Sequence, residues 1–273
     1  SGYLATLAGA LAGWLPLWAA VPLSGLFTYL SYTVAHEAAH GSISGSRQSM
    51  RWLNEALGYG AAWILMIPIT AHRHEHLSHH RNTNDPQGDP DYGVADFTRS
   101  PVRGVMAIIQ IFKAQFTHYA RHRWHRAPRR QNLQLCLELA AAFTPRIALV
   151  FMGYGLEVFA VMGLGWLIGV TVTLYLFAYL VHHPHQDTGR YVDNSAILAA
   201  PAINRLVTWL WVYQNYHAIH HLFPRVPFYR YPAVFEEIEP IMVEKGAPIY
   251  RLGSQGLTRQ PLATPAPAGH AVG

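Results

Sequence analysis

Three short histidine-rich segments contain the residues best suited to do chemistry in this chain. They read His36-Glu-Ala-Ala-His40, His76-Leu-Ser-His79-His80 and His217-Ala-Ile-His220-His221. An α-helix has 3.6 residues per turn, so side chains three or four positions apart lie on one face. Each segment, if helical, therefore presents its imidazoles together, at a spacing suited to metal binding.

The number of these histidines favours two metal ions over one. A zinc ion takes four ligands, and a catalytic zinc often takes three from the protein. The chain has 17 histidines against 15 Asp plus Glu. A histidine with its usual pKa is mostly neutral at pH 7, so most of these rings can bind a metal. Iron is the reactive candidate for such imidazole-rich sites, since zinc has no redox chemistry.

The elements that position these segments have the composition of a membrane protein. Hydrophobic residues make up 51% of the chain and charged residues 13%, below the roughly 25% charged residues usual in soluble domains. Residues 3–35 predict one long membrane helix, or two shorter ones broken at Pro16 and Pro22. Residues 133–181 are too long for one crossing and predict a helical hairpin that turns near residues 153–157.

A shorter apolar run at residues 55–71 lies between the first two histidine segments. A single crossing here would place those segments on opposite sides of the membrane. We therefore predict that this run dips into the bilayer without crossing it. Residues 101–130 and 196–213 predict amphipathic helices in the membrane interface.

The histidine segments and their surroundings resemble the membrane fatty-acid desaturase superfamily, which includes acyl desaturases and carotenoid ketolases and hydroxylases. The similarity extends from about Thr33 to Pro248 and is carried by residues 36–40, 73–91, 180–191 and 215–232. It implies an all-α integral membrane protein with a cytosolic-face di-metal site and interfacial amphipathic helices. A bacterial inner membrane is the expected location. We expect one domain at 1–253, and a disordered Pro/Ala-rich tail at 254–273.

The resemblance also implies two irons held by about nine histidines. These are His36, His40, His76, His79, His80, His182, His217, His220 and His221. The ninth ligand is assigned to His182, with His183 and His185 as alternatives. Val181 stands where the family pattern has proline, and this difference leaves the choice among the three open.

Several polar residues near these segments are candidates for supporting roles. Glu37 and Glu75 could orient imidazoles by accepting their second N–H, or could instead pair with a nearby arginine. Asn215 could contact a metal through water. The loop that contains Asp85, Asp89 and Asp91 either scaffolds a turn or orients neighbouring groups.

A fourth histidine group has helical spacing but a basic environment. His118, His122 and His125 lie among arginines that would repel a cation, so we predict an interfacial polar face. The arginines of residues 121–130 suit either an acidic protein partner or anionic lipid headgroups. The net charge of +5 is too modest to indicate nucleic-acid binding.

The resemblance implies O2-dependent oxidation of an unactivated C–H bond in a membrane lipid. Desaturation of a fatty-acyl or related chain is the leading expectation. Hydroxylation or ketolation of a carotenoid, terpenoid or alkane-like chain is the alternative. The lone cysteine, Cys136, cannot build an Fe–S cluster, so electrons must come from a separate ferredoxin-like or cytochrome donor.

A non-catalytic metal-binding or transport protein is a third reading of the same residues. Transport would predict ionisable residues near the middle of the membrane helices. The histidines lie instead at the ends of the apolar runs, which favours chemistry at the membrane surface.

Overall fold

The computed structural model describes residues 2–261, which are mostly helical with a small sheet. The helices are α1 (Gly2–Leu11), α2 (Leu17–His40), α3 (Arg51–Leu65), α4 (Ile69–Asn82), α5 (Pro101–His122), α6 (Arg129–Phe151), α7 (Gly155–His182), α8 (Pro201–Leu210), α9 (His217–Leu222) and α10 (Tyr231–Glu244). The strands are β1 (Ala196–Leu198), β2 (Ile249–Gly253) and β3 (Gly256–Arg259). Helix α7 is continuous but takes π-helical geometry at Val158–Gly165 and Leu174–Tyr179.

The first apolar run, residues 3–35, forms two helices. This is one of the two predicted alternatives. The chain leaves α1 after Leu11 and re-enters a helix after Pro16, whereas Pro22 lies inside α2 without ending it. Helix α2 ends at His40, because Gly41 adopts a left-handed conformation with φ 73° and its N–H closes the last turn. The first histidine segment therefore occupies the final turn of α2.

Helices α6 and α7 are both long and apolar enough to cross a membrane. Only 17% and 28% of their most apolar windows are buried within the protein. A soluble core helix of this composition would be mostly buried, so these exposed apolar faces suit contact with lipid. The chain turns between Phe151 and Gly155, which confirms the predicted hairpin.

Helices α3 and α4 form a second reversal of the chain. Fifteen residues of α3 rise about 22 Å, short of the roughly 30 Å hydrocarbon core. Met66 turns the chain with φ 57°, and α4 then returns beside α3, where Arg73 pairs with Glu55 at 2.7 Å. The predicted dip requires a reversal of this kind.

The predicted interfacial segments are only partly helical. Helix α5 begins and ends inside 101–130 and buries Ala107, Ile111 and Tyr119 on one face. Residues 196–213 are not one helix, because β1 takes their first three residues and α8 follows.

The mostly helical architecture agrees with the predicted all-α class, apart from a small three-stranded sheet. Strand β1 pairs in parallel with β2, and β2 pairs antiparallel with β3. The predicted disordered tail began at residue 254, but residues 256–259 form β3 and hydrogen-bond to β2. Residues 262–273 of that predicted tail lie outside the described residues.

Candidate metal centre

Four elements bring the histidines to one place. Helix α2 contributes its last turn, α4 its second half, α9 its whole length and α7 its final residue. Close packing of α3 against α2 supports this arrangement, because a Cβ on Gly58 would lie 2.8 Å from the Ala38 Cβ. Ala38 lies between His36 and His40, so a larger residue at 58 would displace the first histidine segment.

Five histidines form the first group, which we call cluster A. They are His36, His40, His76, His80 and His220, and each offers a ring nitrogen within 4.8 Å of all the others. The Nε2 atoms of His40 and His76 are 2.8 Å apart. Those of His80 and His220 are 3.0 Å apart.

Four more histidines form the adjoining cluster B. His79, His182 and His221 converge within 4.8 Å, and the Nε2 of His217 lies 3.2 Å from that of His221. The rings of His80 and His221 stack with centroids 4.2 Å apart and join the two clusters. All nine histidines predicted as ligands therefore lie together.

The three candidates for the ninth position occupy different surroundings. The Nε2 of His182 lies 3.2 Å from that of His79 and 3.3 Å from that of His221. The His185 ring centre is 6.4 Å from that of His182, and neither His183 nor His185 joins a converging group among residues 2–261. The structure thus brings His182 into the site and leaves the two alternatives outside it.

Hydrogen bonds at the far side of several rings set their tautomers. The Nδ1 of His79 lies 2.9 Å from the Asp89 carboxylate, and that of His182 lies 2.8 Å from the Ala178 carbonyl. Both partners accept, so each Nδ1 carries a proton and the Nε2 of each neutral ring is available to a metal. The two Nε2 atoms are 3.2 Å apart, so a cation must lie between them, either a proton on one ring or a metal ion.

The spacing of the nitrogens fits shared metal ions. Two imidazole nitrogens about 2.1 Å from one ion lie ~3.0 Å apart at a right angle and ~3.4 Å apart in a tetrahedron. The facing Nε2 pairs of the two clusters are 2.8–3.3 Å apart. The residues present therefore fit metal ions bound by several imidazoles each.

Burial and neighbouring charges shift the pKa of His79 in opposite directions. Burial lowers its pKa, but the adjacent carboxylates, chiefly Asp89, more than offset this and raise the pKa to about 9. Asp89 is itself held by the backbone N–H groups of Asn84 and Asp91, both at 2.9 Å. The loop around Asp89 thus orients an imidazole of cluster B, which is one of its two predicted roles.

The other predicted supporting residues have separate surroundings. Glu37 accepts from Ser42 at 2.7 Å and lies 3.4 Å from the Tyr231 hydroxyl. Glu75 is fully buried, with its carboxylate 3.6 Å from the Nδ1 of His72, and is in none of the arginine pairs of residues 2–261. Asn215 donates to the Ile197 carbonyl and the Thr208 hydroxyl, which ties β1 to α8.

Two residues that touch the ligand histidines escaped the sequence analysis. The Gln214 amide oxygen lies 3.0 Å from the Nδ1 of His217, and the Tyr231 hydroxyl lies 2.9 Å from that of His220. Gln214 precedes His217 by three residues, so its spacing offered a signal. Tyr231 lies in α10, and only the packing of α10 on α9 places it there.

The fourth histidine group stays apart from both clusters. The rings of His118 and His122 lie 4.7 Å from each other at the end of α5. Neither they nor His125 belongs to a metal-sized group among residues 2–261.

One family model matches most of the length of the chain. The fatty acid desaturase family model matches residues 12–253. The chain belongs to the fatty acid desaturase family. Its relatives include an sn-1 acyl-lipid omega-3 desaturase (ferredoxin) of Synechocystis sp., which is 24% identical over 86% of this chain and 72% of the relative.

Two plant relatives have the same degree of identity. The sn-2 acyl-lipid omega-3 desaturase (ferredoxin) of Helianthus annuus is 24% identical over 88% of this chain and 59% of its own length. Fatty acid conjugase FAC2 A of Calendula officinalis is 24% identical over 80% of this chain. This chain spans 66% of that conjugase. Such a member of the family is expected to be an oxidoreductase of lipid metabolism.

Proposed function

We propose that this protein is an integral-membrane di-iron enzyme that uses O2 to oxidise an unactivated C–H bond of a lipid. Desaturation of a fatty-acyl or related chain is the leading reaction. The observation that carries the proposal is the convergence of nine imidazoles, in which the Nε2 atoms of His79 and His182 lie 3.2 Å apart while acceptors hold both Nδ1 atoms. When bound, the irons would supply the oxidising power for C–H cleavage.

Clusters A and B would each hold one iron in this proposal. Asp89, Gln214 and Tyr231 would orient three of the ligand imidazoles through Nδ1, as residues behind metal ligands commonly do. Most of the nine rings are buried, so the protein would also limit the access of water to the site. The proposed catalytic domain, residues 1–253, ends with strand β2.

The two sides of the metal centre suit a lipid and an electron donor. An apolar cavity adjoins the site between α2, α5 and α7. A polar cleft lined by His80, Arg81, Arg190 and His221 opens on its other side. We propose an external ferredoxin-like donor at this cleft, because the sequence has a single cysteine and two relatives are named as ferredoxin enzymes.

The arginines at 121–130 set the proposed orientation in the membrane. Residues of this kind are enriched on the cytoplasmic side. Exposed Arg121, Arg126, Arg129 and Arg130 lie around the start of α6, the first of the two apolar helices. The active site would then lie on the cytosolic face, and a bacterial inner membrane is the proposed location.

Lipid mass spectrometry of an expressing host tests the reaction. Total lipids and pigments would be compared between hosts that make the wild type, the His217→Ala variant or the His125→Ala variant, with iron, O2 and a ferredoxin supplied. His125 is exposed and outside both clusters, so it is a matched histidine control. We expect a product lacking two hydrogens with wild type and His125→Ala, and none with His217→Ala.

Other results of this experiment would change the assignment. A product that gains oxygen would identify a hydroxylase or ketolase. No wild-type product, with two irons bound, would contradict the proposed lipid oxidation and favour a non-catalytic metal-binding protein.

A further inference from the structure

An apolar cavity beside cluster A contains a buried polar pair. Helices α2, α3, α4, α5 and α7 line the cavity with mostly aliphatic and aromatic side chains, among them Leu65, Ile111 and Trp166. His72 and Gln115 also line it, and both are buried. Neither residue belongs to the metal clusters.

His72 presents a fixed hydrogen-bond acceptor. Its Nδ1 lies 2.8 Å from the Gln115 amide oxygen, which only accepts. The proton is therefore on Nδ1, and Nε2 has a lone pair. This Nε2 is buried and has no hydrogen-bond partner among residues 2–261.

A buried acceptor without a donor destabilises a protein, so the Nε2 of His72 needs a partner from elsewhere. Water is a poor candidate, because a buried water needs about two to four polar partners. Thr173 and Tyr32 are the other polar residues of this cavity, and Thr173 already donates its hydroxyl to the Gly169 carbonyl at 2.9 Å. The remaining walls are largely apolar, which suits a lipid bearing one polar group.

The His72 ring, which carries this acceptor, packs directly against a ring of cluster A. The His72 ring stacks on that of His76 in cluster A, with centroids 5.4 Å apart and planes at 19°. The Tyr32 ring lies 6.1 Å from His72 and 5.8 Å from His36, and it lines the same cavity. A group bound to His72 would therefore place its neighbouring carbons beside cluster A.

We propose that His72 is a specificity-determining residue that accepts a hydrogen bond from an aliphatic O–H group of the lipid substrate. The substrate class is then a lipid with a hydroxyl close to the carbon that is oxidised. Gln115 is a positioning residue, because it sets the tautomer of His72. This inference rests on the proposed function, because it names the substrate of that reaction. The binding preference itself is measurable without turnover.

A matched pair of probes tests the acceptor. Purified, metal-loaded protein in phosphatidylcholine nanodiscs would be bound to tritiated dodecyl methyl ether, which enters apolar cavities and cannot donate a hydrogen bond. The tracer would be displaced by unlabelled ether or by 1-dodecanol. We expect the alcohol-to-ether preference of wild type to exceed that of His72→Phe by roughly twofold to tenfold, the contribution of one neutral hydrogen bond.

Two further variants keep this test independent of folding. Thr173→Val removes a hydroxyl from the same cavity that is already bonded, so it should keep the wild-type preference. Gln115→Leu should lower the preference, because it frees the His72 tautomer. Tracer binding should be unchanged in every variant, since the ether does not use His72.

A second pair of probes identifies the position of the hydroxyl. Methyl 12-hydroxystearate and methyl 12-methoxystearate would displace the same tracer. A larger preference within this pair identifies an internal hydroxyl, and a larger preference for dodecanol over its ether identifies a terminal one. Equal preferences in wild type and His72→Phe for both pairs, or no saturable tracer binding to wild type, would overturn the inference.

Failure of this inference and failure of the proposed function are distinguishable. Iron content and lipid products would be measured on the same preparations. A His72-dependent preference in a protein that oxidises no lipid would contradict the proposed function alone. Lipid oxidation without that preference would contradict the role of His72 alone.

Discussion

Asp89 acts on the candidate metal centre through one imidazole. Its carboxylate accepts from the Nδ1 of His79, and two backbone N–H groups fix the carboxylate in turn. The His79 lone pair is thereby directed at the other rings of cluster B. Residues in such positions commonly change metal affinity or activity by about 10- to 100-fold when they are replaced.

We expect Asp89→Asn to weaken metal binding at cluster B while cluster A keeps its ion. An amide can turn its NH2 group towards His79 and would then favour the wrong tautomer. Iron per purified chain, measured by elemental mass spectrometry, should fall from about two towards about one, with activity reduced by about 10-fold or more.

Asp96→Asn is the matched control for Asp89→Asn. Asp96 pairs with Arg99 and Arg103 on the surface, away from both clusters. It should retain full iron content. An Asp89→Asn protein with two irons and normal activity would show that Asp89 does not position His79.

At the scale of helices, the end of α3 depends on side chains from the two apolar helices. Arg146 of α6 donates to the Trp63 carbonyl at 2.8 Å, and Trp166 of α7 donates to the Leu65 carbonyl at 2.9 Å. The last carbonyls of a helix have no partner within that helix. In the predicted dip into the bilayer they must find one, because water is not available there.

Arg146→Met should therefore lower the thermal stability of the protein. The change keeps much of the apolar stem but leaves the Trp63 and Ala142 carbonyls without their side-chain donor. The expected loss is about 1–3 kcal/mol of unfolding free energy, measured as a lower melting temperature in detergent. Arg129→Met, at the exposed start of α6, should change it little. Equal effects would show that the α3 end needs no donor.

The reversal at Met66 also predicts which residues share one side of the membrane. In a Cys136→Ser background, single cysteines would replace Ser49 before α3, Gln87 after α4, or Met152 at the α6–α7 turn. Labelling intact and opened cells with a membrane-impermeant thiol reagent reports the side of each. We expect 49 and 87 on the same side and 152 on the other. Labelling of 49 and 87 from opposite sides would mean that residues 55–71 cross.

At the scale of the whole molecule, the metal centre joins segments that are far apart in the chain. The nine rings extend from His36 to His221 and come from α2, α4, α7 and α9. A ligand bound only by the folded state stabilises that state, by about 2.7 kcal/mol when its concentration is 100 times its Kd. Bound ions would therefore stabilise the packing of these four helices.

Removal of iron should lower the melting temperature of the wild-type protein. Chelation removes an ion that binds the folded state, so the stabilisation from that binding is lost. The His79→Ala/His217→Ala double variant should respond much less to the same chelator, because two of the four rings of cluster B are missing. An unchanged wild-type melting temperature after iron loss would contradict this coupling.

Local sequence rules were sufficient to identify eight of the nine histidines and the helices that carry them, whereas His182 was implied by the family resemblance. The i, i+3 and i+4 spacings and the apolar runs are short-range properties, and they also predicted the α6–α7 hairpin. The sheet was not predictable, because β1 and β2 pair although about 50 residues separate them. Tyr231 was missed because the packing of α10 on α9, and not helical spacing, places its hydroxyl beside His220.

The sequence by itself determined which side chains could bind metal and that apolar helices hold them, since composition and helical periodicity depend on neighbouring residues. Tertiary structure decided that His182 converges with His79 and His221 while His183 and His185 do not. It also decided which partners set the tautomers and that His72 faces an apolar cavity. Such contacts join residues distant in the chain, and their distances are defined only when the helices pack.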